Sequence, residues 1–143
     1  MSSSQTVTDN THTKIQYNTE LYDTDSAYDN STNYRFTVPS GKAGKYFIHA
    51  ECYQFGNNND EKMREIDIYL NGSRVRRHEV LANYSTGQSS GGSINISAVL
   101  DLSVSDYIEI FGRIDVNSGT PSFYGDSGEA QRYSILEIFR LVE

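Results

Sequence analysis

Apolar side chains alternate with polar ones along several stretches of this chain. The clearest stretch carries Ile94, Ile96, Ala98, Leu100 and Leu102, with serine, asparagine or aspartate between most of them. A period of two residues is typical of a strand with one buried face. The same alternation recurs in residues 66–70 and 108–116, so the pattern predicts antiparallel strands over a single core.

Turn-forming residues separate the predicted strands. Asn71-Gly72 between two apolar runs is the strongest hairpin signal, and Pro39-Ser40-Gly41 and Gly91-Gly92 bound further strands. Stacking two sheets covers both apolar faces, so the pattern favours an all-β antiparallel β-sandwich, specifically a jelly roll. The eight predicted strands span about residues 14–22, 33–38, 45–55, 64–70, 73–80, 92–102, 106–116 and 132–142.

Length and composition set the domain organisation. A chain of 143 residues is the size of one domain. Residues 1–13 are polar and short of large apolar groups, so we expect a flexible N-terminal arm before a jelly-roll domain at 14–143. The net charge of -7 argues against nucleic acid or an anionic membrane as a partner, since both would repel the chain.

Candidate chemistry is sparse. Cys52 cannot form an intrachain disulfide and is predicted to be a buried small hydrophobe, and no pair of His12, His49 and His78 has zinc-ligand spacing. Ser127 matches a serine-protease motif over four residues only. We therefore expect a protein that is not an enzyme and has no cofactor and no bound metal.

Two charged clusters have alternative interpretations. Acidic residues could bind calcium, but their spacing does not match an EF-hand, and solvated surface is favoured. The basic run after the predicted hairpin turn is interpreted as a solvated strand or an intersubunit ion pair in preference to an anion site. The acidic residues are Glu20, Asp23, Asp25 and Asp29, with a second group at 57–61, and the basic run is Arg74, Arg76, Arg77 and His78.

Several segments resemble the complement globular-head family. Phe36-Thr37-Val38-Pro39 followed by Gly44-Lys45-Tyr46-Phe47-Ile48 is similar to that family's Phe-x-x-Pro and Gly-x-Tyr-x-Phe. The segments 66–72 and 100–110 resemble its Asn-Gly turn and its Leu-x-Leu-x-x-Gly-Asp-x-Val-x-Val strand, although Ser105 replaces the family's glycine. Members of this family and of the related tumour necrosis factor group are jelly rolls that usually form trimers, so the resemblance implies a homotrimer.

The last predicted strand is apolar on both faces. Ile135 and Phe139 fall on one face, and Leu136 and Ile138 fall on the other. One face could fill the sandwich while the other meets neighbouring subunits, or the strand could simply be central. Under the first alternative, the expected trimer contacts are these four residues together with Tyr46.

Two classes of function are compatible with these features. The first is a virion structural protein, located on the particle, whose trimers decorate or cement a bacteriophage capsid or form a tail-fibre head, with the major capsid protein or another virion protein as partner. The second is a secreted, extracellular recognition module that binds a receptor or glycan through loops, with Tyr84, Phe123 and Tyr124 as candidate contacts. A secretion signal and disulfides would favour the second class, and the sequence shows neither. The virion protein is therefore the preferred hypothesis.

Overall fold

The computed structural model describes residues 1–56, 61–81, 91–126 and 134–141. Every regular element in these ranges is a β-strand, and none is a helix that could cross a membrane. The strands are β1 (Gln5–Thr6), β2 (Thr13–Lys14), β3 (Tyr28–Asp29), β4 (Arg35–Thr37), β5 (Gly44–Phe55), β6 (Glu61–Leu70), β7 (Ser73–Leu81), β8 (Gly91–Leu102), β9 (Tyr107–Val116), β10 (Ser122–Phe123) and β11 (Ile135–Arg140).

Two antiparallel sheets form the sandwich. In sheet A, β5 pairs with β8 along one edge and with β11 and β10 along the other, and β1 pairs with β10. In sheet B the order is β3-β4-β9-β6-β7, and β2 also pairs with β9. The all-β jelly-roll prediction is confirmed, because both sheets are antiparallel and enclose a single core.

The core follows the alternation in the sequence. Alternate residues of β5 and β8 face the core and most of them are buried, while the residues between them face outward. Removal of this apolar surface from water is the main stabilising contribution to the fold. The residues with no exposed surface include Ile15, Ile48, Ala50, Cys52, Ile66, Ile68, Ile108, Ile114 and Phe123.

The expected flexible arm is instead part of the sandwich. Gln5–Thr6 forms β1, and Val7 is buried with its amide donating to the Pro121 carbonyl at 3.0 Å. The amide of Asn10 donates to the carbonyl of Ile114 at 2.8 Å. The prediction failed because one valine and a series of main-chain hydrogen bonds order this polar segment, and neither signal is visible in the composition.

Most of the long strands were predicted within a few residues. The predicted strand at 33–38 contains β4, whereas β1, β3 and β10 were missed, because a two-residue strand is defined by its partner rather than by its own pattern. The predicted strand at 14–22 shrinks to Thr13–Lys14, and the last strand covers Ile135–Arg140.

Candidate functional site

An exposed apolar row crosses the outer face of sheet A. Phe47 of β5 lies opposite Val99 of β8 and opposite Phe139 of β11. The rings of Phe47 and Phe139 are 5.1 Å apart, and Leu141 follows two residues later. Val99 is 52% exposed, Phe139 53% and Leu141 45%, so this apolar row presents large hydrophobic side chains to solvent. We call Val99, Phe47, Phe139 and Leu141 the apolar row.

The expected trimer contacts lie on two different surfaces. Phe139 and Ile135 point outward with the apolar row, whereas Leu136 and Ile138 pack against the core. Tyr46 is only 4% exposed, its hydroxyl donates to the Lys42 carbonyl at 2.6 Å, and its ring packs against another aromatic ring. Tyr46 therefore belongs to the interior of the sandwich and not to an outward surface.

The candidate loop residues are also separated. Phe123 lies in β10 and has no exposed surface, so it is a core residue rather than a ligand contact. Tyr124 packs its ring 5.8 Å from that of Tyr53 and donates its amide to the Tyr53 carbonyl. Tyr84 lies outside the described residues. Of the three, only Tyr124 is described and partly exposed.

A buried charge cluster lies on the outer face of sheet B. Ile66 and Ile68 of β6 point into the core, which directs Glu65 and Asp67 to the opposite face. Both side chains nevertheless have no exposed surface, because longer charged side chains cover them. The covering groups are His12, Arg74, Arg77, Glu79 and Arg113.

Glu65 is the centre of this charge cluster. Its Oε1 is 2.7 Å from His12 Nε2 and 2.8 Å from Arg77 Nη2, and its Oε2 accepts from Arg113 Nη2 at 2.7 Å. Burial opposes the charge, but hydrogen bonds from Asp67, His12 and Arg113 outweigh it and lower the pKa of Glu65. Glu65 is therefore the stably ionised member of the pair.

Asp67 has the opposite behaviour. Burial raises the pKa of Asp67 to about 6, and the neighbouring Glu65 carboxylate adds to the shift. The guanidinium groups of Arg77 and Arg74 act in the other direction without cancelling it. Two adjacent carboxyl groups out of water favour sharing one proton.

His12, Glu65 and Asp67 have the donor types of a metal site. One ligand atom from each lies within 4.8 Å of the others. However, Arg77 and Arg113 already occupy both oxygens of Glu65, and a divalent cation would have to displace them against their own charge. The residues fit an ion-pair network that fastens the N-terminal segment to sheet B better than they fit a metal.

The basic run makes contacts within its own chain. Arg74 and Arg77 belong to the charge cluster, which neither the solvated-strand nor the intersubunit interpretation anticipated. His78 Nδ1 lies 2.7 Å from the Asn95 carbonyl, so Nδ1 carries the proton and links β7 to β8. The only signal for the charge cluster in the sequence was the presence of acidic residues on β6 and basic residues on β7, the strand that follows it.

Two of the acidic residues considered for calcium, Asp23 and Asp29, hold backbone turns. Asp29 accepts hydrogen bonds from the amides of Ser31, Thr32 and Asn33, which lower its pKa. Asp23 accepts from the amide of Tyr28 at 2.8 Å. Asp23 and Asp29 therefore have local structural partners, and residues 57–60 of the second acidic group lie outside the described ranges.

Cys52 and the histidines in the described ranges have structural surroundings. Cys52 is fully buried, as predicted, and burial raises the pKa of its thiol to about 12. His49 Nδ1 lies 2.9 Å from Ser97 Oγ on the outer face of sheet A. Ser127 lies outside the described residues.

Comparison with known proteins identifies a fold. No protein-family model matches the chain, and no curated protein matches its sequence. Among solved structures, the chain is similar to the Eiger TNF from S. frugiperda, with a TM-score of 0.51 and 13% sequence identity. The match covers 71% of this chain and 61% of that one. At this identity the comparison supports a tumour necrosis factor-like jelly-roll fold and carries no activity with it.

Proposed function

We propose that this tumour necrosis factor-like jelly roll is a non-enzymatic structural protein whose copies assemble as a homotrimer through the apolar row. The observation that carries the proposal is the direct cross-strand alignment of Val99, Phe47 and Phe139 on an outward sheet face. Contiguous exposed hydrophobic side chains favour a protein contact, and symmetric oligomers bury the same patch in every copy.

The proposed setting of this assembly is a virion, as a capsid decoration protein or a tail-fibre head. A repeated subunit contact suits such a role, since decoration proteins and fibre heads present many identical copies. The expected partners are further copies of the chain and the major capsid protein or another virion protein. Because residues 5–7 are part of the fold, attachment to a particle would use another surface rather than a free arm.

The mass of the protein in solution tests the assembly. Light scattering on the full chain should give a mass three times the 16.1 kDa of the chain. Val99→Lys should lower this mass, because it places a charge within the apolar row. Val80→Lys is the matched control: Val80 is a 40% exposed valine on sheet B, and its substitution should leave the mass unchanged.

Two results would count against the proposal. A monomeric wild-type chain would remove the self-association, and equal effects of Val99→Lys and Val80→Lys would remove the apolar row as its site. The virion assignment is tested separately by co-sedimentation of the full chain with empty shells of its parent particle. A trimer that fails to co-sediment would retain the assembly and contradict the virion role.

A further inference from the structure

A groove runs along the free edge of β11 and shares only Phe139 with the apolar row. It has a volume of about 490 Å³ and lies between β11 and residues 17–28. All six residues of β11 line it, although their side chains alternate between the two faces of the sheet. Residues of both faces can line one groove only where that groove follows the edge of the strand.

The backbone register shows which groups face the groove. The amide of Leu141 donates to the Lys45 carbonyl at 2.7 Å, which makes this a hydrogen-bonded pair of the β5-β11 ladder. In an antiparallel ladder the alternate residues direct their amides and carbonyls away from the partner strand. Leu136, Ile138 and Arg140 therefore present main-chain groups outward, and within the described residues β11 pairs with β5 alone.

Two donors in the groove wall have no acceptor among the described residues. The hydroxyl of Tyr28 and the Nε of Arg140 are both buried without a hydrogen-bond partner, although Arg140 Nη2 donates to the Ala43 carbonyl at 2.6 Å. Buried donors of this kind are uncommon and call for a specific acceptor. A carbonyl oxygen of an extended peptide would reach either donor once that side chain turns toward the groove.

The residues at the entrance of the groove, which we call its lip, indicate which kinds of side chain the occupant carries. Leu21 is 62% exposed and Tyr22 is 78% exposed, so an apolar ligand would cover both. Four carboxylates line the groove against three cationic groups, which are the side chains of Lys42 and Arg140 and the N-terminal ammonium of Met1. The carboxylates are those of Glu20, Asp23, Asp25 and Glu137.

From these observations we infer that the free edge of β11 binds an extended segment of a partner protein, in which apolar residues alternate with lysine or arginine. The segment adds to sheet A as a further antiparallel or parallel strand. Its main chain pairs with β11, its apolar side chains cover Leu21 and Tyr22, and its cations face the acidic lip. The groove meets the proposed trimer contact at Phe139, whereas the other residues of the apolar row do not line it.

The test uses synthetic hexapeptides and the full chain. A blocked peptide of alternating lysine and valine is titrated with fluorescence anisotropy, alongside a glutamate-valine peptide and a lysine-valine peptide N-methylated at alternate amides. We expect binding of the first peptide below about 1 mM, at least about tenfold weaker binding of the acidic one, and loss of binding on N-methylation. N-methylation removes donors of the added strand and keeps the charged and apolar side chains.

Variants of the chain test the individual contacts. Tyr28→Phe should leave the stability of the free protein nearly unchanged, because its hydroxyl has no hydrogen-bond partner among the described residues. It should weaken peptide binding roughly fivefold. The double change Glu20→Lys and Glu137→Lys should remove the preference for the basic peptide. Asp101→Lys is the control on the exposed side of β8, and it should retain that preference.

Three outcomes would overturn the inference. The first is no binding of any peptide at about 1 mM, and the second is equal binding of the N-methylated peptide, which would leave a groove without strand addition. The third is a fall in the solution mass of Tyr22→Ser, which would show that a second copy of the chain covers this edge instead.

Discussion

The contact between Gly112 and Phe123 gives the sharpest prediction. A methyl group on Gly112 would lie 2.7 Å from Phe123 Cζ and 3.0 Å from Gln54 Nε2, whereas carbon atoms in contact are normally about 3.5–4.0 Å apart. Neither neighbour can move freely: both have no exposed surface, and Gln54 Nε2 donates to the Glu65 carbonyl at 2.7 Å. Gly112→Ala should therefore overpack the core where β9 faces β10.

The expected magnitude comes from two opposing effects. Overpacking of a close-packed core costs about 1–3 kcal/mol, and replacing glycine stabilises by about 0.4–1 kcal/mol through the unfolded chain. The backbone of Gly112 lies outside the left-handed region, so no conformational penalty is added. We expect a net loss of about 1–2 kcal/mol in the free energy of unfolding.

Urea unfolding followed by tyrosine fluorescence measures this loss, since the chain has 11 tyrosines and no tryptophan. Protein concentration is held constant because self-association would also contribute to stability. Phe123→Leu removes the atom nearest the new methyl group. The double variant should therefore lose less free energy of unfolding than the two single variants lose together, by at least about 1 kcal/mol. Additivity within about 0.5 kcal/mol, or an unchanged Gly112→Ala protein, would refute the steric argument.

Three further predictions concern single residues. Ser105 is exposed and has a φ of 71°, which is strained for a residue with a side chain. Ser105→Gly should stabilise the fold by about 0.5 kcal/mol, because the strain energy it relieves exceeds the free-energy cost of a more flexible unfolded chain. A lower urea midpoint than that of the wild type would contradict this. The pKa of Asp67 is raised from 3.8 to about 6, so its ionisation opposes folding as pH rises through that window. The stability of Asp67→Asn relative to wild type should therefore increase as the pH rises from 4 to 7, as measured by urea midpoints. A difference that stays constant over this range would be inconsistent with the raised pKa. Cys52 should resist a thiol reagent at pH 8 in the native protein and react in urea, and rapid native labelling would show that the thiol is accessible.

The sequence predicts the architecture because each long strand has its own alternation of apolar and polar residues. In β5 and β8, the alternation of buried and exposed residues follows the apolar pattern almost residue by residue. The Asn71-Gly72 turn has φ values of 51° and 77°, the left-handed conformation that this pair adopts readily in a two-residue hairpin. Cys52 lies among buried residues for the same reason.

The candidate site is harder to predict because pattern alone does not say which face is covered. Alternation separates Phe139 from Ile138, but only the stacking of sheet A on sheet B shows that Ile138 turns inward. Phe123 lies in a polar segment with loop-like composition, and its burial follows from the pairing of β10 with the end of β5.

The sequence by itself determined an all-β chain, the position of its long strands and the residues able to fill a core, since period-two burial is a local property of strands. Only the tertiary structure decided that the largely polar segment 5–14 adds strands to both sheets and that Glu65 and Asp67 are buried beneath arginines from β7 and β9. These features depend on groups that are far apart in sequence. Their burial, pairing and pKa shifts arise only when folding brings oppositely charged groups and unsatisfied main-chain groups together.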